Sequence, residues 1–137
     1  MKNSKIKTII VVLCCLLLGT LFICFKDQAT VIDNKSKEYS KFEIDSAILS
    51  ARLHFALTFK DCDLLTIGYA GDQSIDEAKE WAKEIYACRV IILNSSFKSG
   101  SNWQDTGLEP DKVYENWEFI MVKRFGFLWL VKTNGLG

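Results

Sequence analysis

Arg89-Val90-Ile91-Ile92-Leu93 is the stretch that decides the fold. Successive side chains of a strand point to opposite faces, so four consecutive apolar residues, three of them β-branched, read as a strand buried on both sides. Downstream, Tyr114–Arg124 and Phe127–Thr133 form a hairpin through Phe125-Gly126. In its first arm Trp117, Phe119 and Met121 alternate with Glu118, Ile120 and Val122; in its second, Phe127, Trp129 and Val131 alternate with Leu128 and Leu130. Both faces of the hairpin are thus apolar, one to pack under helices, the other to line a cavity or a partner surface. Between Leu93 and the hairpin, the Ser, Gly and Asn of 95–107 predict a long turn.

Upstream, apolar residues at three- and four-residue spacing (Ile44, Ala47, Ile48, Ala51, Phe55, Phe59) predict a helix over 43–59 with a wide buried arc. Leu64–Ala70 reads as a strand stopped by Gly71-Asp72. Ser74, with Glu77 three residues on, has the spacing of a capping box, and Ile75, Ala78, Ala82 and Ile85 give the second helix its apolar face. The order helix, strand, helix and three strands predicts an α+β domain: two helices on one face of a mainly antiparallel four-stranded sheet.

Val90–Phe97, Glu109-Pro110-Asp111-Lys112-Val113-Tyr114, Trp117–Arg124 and Trp129-Leu130-Val131 with Gly135 together resemble the family called domain of unknown function 4829. The resemblance spans about residues 43–137. It implies a small exported or anchored bacterial domain similar to the nuclear-transport-factor-like (NTF2-like) cone fold, and it brings no known activity.

Ahead of this domain, residues 8–25 form an uncharged run preceded by Lys2, Lys5 and Lys7. Its helical length, roughly 27 Å, predicts a transmembrane segment. No small-residue cleavage site follows, and Phe22 and Ile23 before Cys24 are unlike a lipoprotein signal, so a retained signal anchor is expected over 1–25. The leading lysines predict a cytoplasmic N-terminus and a domain outside the cell membrane. Residues 26–42, rich in Lys, Asp, Asn, Ser and Glu, read as a polar linker before the domain at 43–137.

Charge and composition narrow the function. The 112 residues after position 25 carry a net charge of about −3, with no basic stripe for nucleic acid. His54 is the only histidine, which excludes multi-histidine zinc sites, and Asp61-Cys62-Asp63 lacks the spacing of a calcium loop. No metal or other cofactor is expected. Cys62 and Cys88 both precede predicted strands; a disulfide between them would close a loop of about 25 residues and stabilise by about 3 kcal/mol, the alternative being two buried thiols. Asn34-Lys35-Ser36 and Asn94-Ser95-Ser96 match glycosylation sequons. Trp103, in a polar loop, with Tyr69 and Trp117, are the candidate contacts for a ligand or partner. The expected function is non-enzymatic binding of a small ligand or an envelope protein. The alternatives are a cone-fold enzyme using His54 or a buried aspartate on a small apolar substrate, and a structural subunit of a membrane complex.

Overall fold

The computed structural model describes residues 2–26, 28–32, 35–101 and 107–137, the side chains of Lys2 and of residues 20–26 excepted. In chain order the elements are α1 (Lys2–Lys26), β1 (Thr30–Ile32), α2 (Lys41–Thr58), β2 (Asp63–Tyr69), a 3₁₀ turn (Asp72–Ser74), α3 (Ile75–Glu84), β3 (Val90–Lys98), β4 (Val113–Arg124) and β5 (Leu128–Leu136). The strands form one sheet in sequential order, antiparallel from β2 to β5, with β1 parallel to β2.

The α+β class holds, but the sheet has five strands rather than the four expected. The fifth is Thr30-Val31-Ile32, a β-branched triplet inside the stretch read as linker, where the surrounding polar residues masked it. The predicted membrane span is also overturned. Among the described residues no helix is long and apolar enough to cross a membrane. The uncharged run with described side chains goes from Thr8 to Gly19, a rise of about 18 Å against a hydrocarbon core of about 30 Å; residues 20–25 of the expected span lie outside the described side chains. The signal anchor and the single-pass topology, with its inside N-terminus and outside domain, fall with it.

Side-chain alternation along β3 builds two cores. Ile91, Leu93 and Phe97 point to one face, where they join Ile44, Ala47, Ile48, Ala51 and Phe55 of α2 with Phe119, Met121 and Trp129. Val90 and Ile92 point to the other, where they meet Ile120, Val122 and, from α3, Ala78, Trp81 and Ala82. The helices therefore cover opposite faces of the sheet, not the single face predicted. Ile91, Ile92 and Leu93 are completely excluded from solvent, as a strand apolar at every position requires. The strand also continues past Leu93 to Lys98, so the predicted turn begins later. At the hairpin, whose three-residue connection follows from the pairing of Arg124 with Leu128, Phe125 and Gly126 both adopt left-handed φ and the Phe127 N–H donates to the Arg124 carbonyl, the backbone hand that tight hairpin turns favour.

One charged side chain ties α2 to the sheet. Ser40 caps the helix, its hydroxyl accepting from the Glu43 N–H, while the Glu43 carboxylate accepts from the Ser40 N–H at 3.1 Å. The same carboxylate accepts from Arg89 Nε at 2.8 Å and Lys123 Nζ at 3.1 Å, at the start of β3 and the end of β4. Arg89 also lies 4.7 Å over the ring of Tyr39, whose hydroxyl donates to the Val90 carbonyl at 2.6 Å. Burial pushes the Tyr39 phenol up to about 12. Burial works against the Glu43 charge too, but the hydrogen bonds from Arg89, the Ser40 N–H and Lys123 outweigh it and hold its carboxyl down to about 2.

A carboxyl depressed in the folded state stabilises the fold above its ordinary range and loses that contribution as pH falls toward its folded value. Glu43→Ala, which removes cap and ion pairs together, should cost about 1–3 kcal/mol at neutral pH in urea denaturation. The Glu43→Gln chain should show a smaller loss of urea midpoint than the native chain on acidification from about pH 5 to about pH 3. Equal losses would remove Glu43 from this role.

Candidate binding cleft

Because α3 is ten residues long, it covers only part of its face of the sheet. Farther along the same strands the residues on that face turn polar: Thr66 of β2, Asn94 and Ser96 of β3, Glu118 of β4. The register sets them side by side, Thr66 with Ser96, and Gly68 with Asn94 with Glu118. The Thr66 and Ser96 hydroxyls are 2.7 Å apart. The ladder breaks at Leu64/Thr66 and at Ser95/Phe97, and Asn116 opposite the second break takes a left-handed φ of 55°. Bulges of this kind bend a strand and re-aim its side chains.

The result is a hollow of about 320 Å³ bordered by Ile32, Thr66, Gly68, Asn94, Ser96 and Asn116. A second, of about 410 Å³, lies between α3 and the ends of β4 and β5, with Glu77, Trp81, Glu118, Thr133 and Asn134 around it. The two adjoin across the Asn94–Glu118 pair. Among the described residues no lysine or arginine borders either one. Burial, and then the neighbouring Glu77 charge, raise the Glu118 carboxyl above its ordinary range. Glu77 is free to face Glu118 because the predicted capping box at Ser74 does not form: the Ser74 hydroxyl donates instead to the Gly71 carbonyl, inside the 3₁₀ turn.

The candidate contacts read from the sequence fall elsewhere. Tyr69 borders the cleft, but its side chain is buried, edge-on to Tyr39 at 5.4 Å, with its hydroxyl donating to Asp72. Trp117 packs at 5.2 Å from Phe97 and 5.9 Å from both Phe59 and Tyr114, and its Nε1–H donates to Asn134. Trp103 lies outside the described residues. Under α2, Phe55, Phe59, Phe97, Tyr114, Trp117 and Phe119 pack ring against ring.

His54 borders that cluster, edge-on to Phe119 at 6.4 Å; burial lowers its pKa, and no carboxylate among the described residues orients it, as a general base would need. Cys62 and Cys88 are free thiols. Both precede strands, but β2 and β3 are antiparallel, Asp63 lying beside Lys98, so the two stand at opposite ends of β3, on the order of 30 Å apart by strand rise. That is far beyond the reach of a disulfide. Burial pushes the Cys62 thiol up, which makes it less reactive. No group of metal-ligating side chains occurs among the described residues.

Sequence reasoning missed Thr66, Asn94, Ser96 and Glu118. The available signal was the switch from Val90-Ile91-Ile92-Leu93 to Asn94-Ser95-Ser96, which reads equally well as the end of a strand. Comparison with the profiles of known protein families, with curated proteins and with solved structures finds no match. The likeness to domain of unknown function 4829 therefore rests on the short sequence blocks alone.

A carboxyl raised by the fold is easier to bury protonated, so its charge costs stability as pH rises through its folded value. Glu118→Gln should raise the urea midpoint at pH 7 and leave it unchanged or lower in acid. A lower midpoint at pH 7 would mean that Glu118 is held by a partner rather than crowded by Glu77.

Proposed function

We propose that this domain is a non-catalytic binding module whose ligand, a small polar molecule, lies on the uncovered half of the sheet beside α3. One observation carries the reading: a row of hydroxyl, amide and carboxylate groups crosses three neighbouring strands where apolar residues would otherwise continue, and among the described residues α3 reaches only its Glu118 end. Uncovered polar side chains on a rigid sheet are held in place without a ligand to order them, which limits the entropic cost of binding. Carboxylates and hydroxyls without a basic neighbour among the described residues favour a ligand that donates hydrogen bonds, such as an amine or a polyol. The half-buried Trp81 adds an aromatic surface beside them.

A protein partner is the second reading. It is favoured by Tyr86 and Phe125, which are 94% and 83% exposed and are both held at left-handed φ, a conformation that costs energy for bulky side chains.

Titrating ¹⁵N-labelled protein with a panel of small amines and polyols at millimolar concentration tests the first reading. The expected result is shifts concentrated at Thr66, Gly68, Asn94, Ser96 and Glu118, weakened about tenfold or more by Asn94→Leu. Shifts gathered instead around Phe55–Asp63, or none from any compound, would contradict it. The double substitution Tyr86→Ser, Phe125→Ser should leave those shifts unchanged, which separates the two readings.

A further inference from the structure

The polar cleft differs in charge from one end to the other. The row Gly68, Asn94, Glu118 and Gly135 crosses four strands, and Thr66 and Ser96 belong to the next row on the same face. At the β4 end Glu118 is half-buried and, among the described residues, accepts no hydrogen bond; burial and the Glu77 charge are what act on its carboxyl. Trp81, one turn after Glu77 on α3, borders the same hollow. β5 leaves room there, since a Cβ added to Gly135 would meet nothing within 4 Å. At the β2 end the Thr66 and Ser96 hydroxyls pair at 2.7 Å, which engages one hydroxyl proton and leaves the other to donate. Glu115, the one charged side chain bordering that end among the described residues, is exposed to water. One strand spacing and two residues of rise separate Glu118 from Ser96, about 8 Å.

On the footing that this cleft binds a small polar ligand, we propose that the ligand is an amino polyol, with its ammonium beside Glu118, Glu77 and Trp81 and its hydroxyls on Asn94, Ser96 and Thr66. Two neighbouring carboxylates without a cation repel each other, and an ammonium between them reverses the sign of that interaction and brings three donors. A neutral polyol relieves none of it. The indole of Trp81 adds a surface that attracts a cation and not a hydroxyl. At the other end the requirement is opposite: the paired hydroxyls and the Asn94 amide each donate as well as accept, which suits a ligand hydroxyl and leaves an ammonium, a donor alone, half matched. An amine without hydroxyls therefore uses one end of the cleft, a polyol without an amine the other, and a chain about 8 Å long carrying both uses the whole row.

The ¹⁵N-labelled full-length chain is titrated in parallel with glucamine, with sorbitol, which differs from it only by a hydroxyl in place of the ammonium, and with hexylamine, which has the ammonium alone. The expected result is that glucamine binds about tenfold more tightly than either of the others, and that it alone shifts both the Trp81 indole N–H with Glu118 and the amides of Thr66, Asn94 and Ser96. In the Glu118→Gln chain, and in the Glu77→Gln chain, where the substituted position is exposed, the advantage of glucamine over sorbitol should fall to about twofold or less while sorbitol affinity stays the same. Equal binding of glucamine and sorbitol, with shifts at Thr66, Asn94 and Ser96, would overturn the amino polyol and leave the binding cleft standing. Hexylamine binding as tightly as glucamine would overturn it too, as would an advantage of glucamine that survives in both variants. No shift from any of the three at millimolar concentration would overturn the ligand and the cleft together.

Discussion

Every layer of this structure follows from the burial of β3 on both faces. A strand that is apolar at successive positions must have a cover on each side, and the chain supplies α2 on one and α3 on the other. The helices differ in length, eighteen residues against ten, so the covers are unequal. Under α2 the space fills with stacked aromatic rings. Beside α3 the cover stops short, and there the exposed side chains of the sheet become polar. The candidate cleft is where the second layer runs out.

The Glu43 cluster fixes the first of these layers. A single carboxylate completes the cap of α2 and accepts from Arg89 and Lys123, on the two strands below. A half-buried charge with several donors gains more than an exposed surface pair, whose worth is small. Two turns farther along the same face of α2, the Ser50 hydroxyl donates to the Trp129 carbonyl of β5, the residue paired with Lys123, so the helix is pinned to β4 and β5 together. The segment Ser36–Tyr39, although polar in composition, joins the fold through Asp72 and through the buried ring of Tyr39.

Periodicity in the sequence was enough to place α2, α3, the four antiparallel strands and the Phe125-Gly126 turn. What escaped it depended on neighbours distant in the chain. Ser40-Lys41-Phe42-Glu43 and Ser74-Ile75-Asp76-Glu77 have the same capping spacing, yet only the first forms a box, because the Ser74 hydroxyl is taken by the Gly71 carbonyl. Cys62 and Cys88 hold equivalent places before their strands, yet antiparallel pairing sends them to opposite ends. The helix-facing positions of the hairpin were legible from alternation; that its two faces carry different helices was not, since alternation separates faces without saying what covers either. The polar row of the cleft was hidden for a related reason: Asn94-Ser95-Ser96 has the composition of a turn, and only its pairing with β2 and β4 keeps it in the sheet.

The division of β3 between two helices is tested most directly by methyl NOESY on protein with labelled isoleucine and alanine methyls. Cross-peaks are expected from Ile91 to α2 methyls such as Ala47 or Ala51, and from Ile92 to Ala78 or Ala82 of α3, with no exchange between the two sets. Cross-peaks from both isoleucines to the same helix, or Ile92 methyls in contact with water, would contradict it.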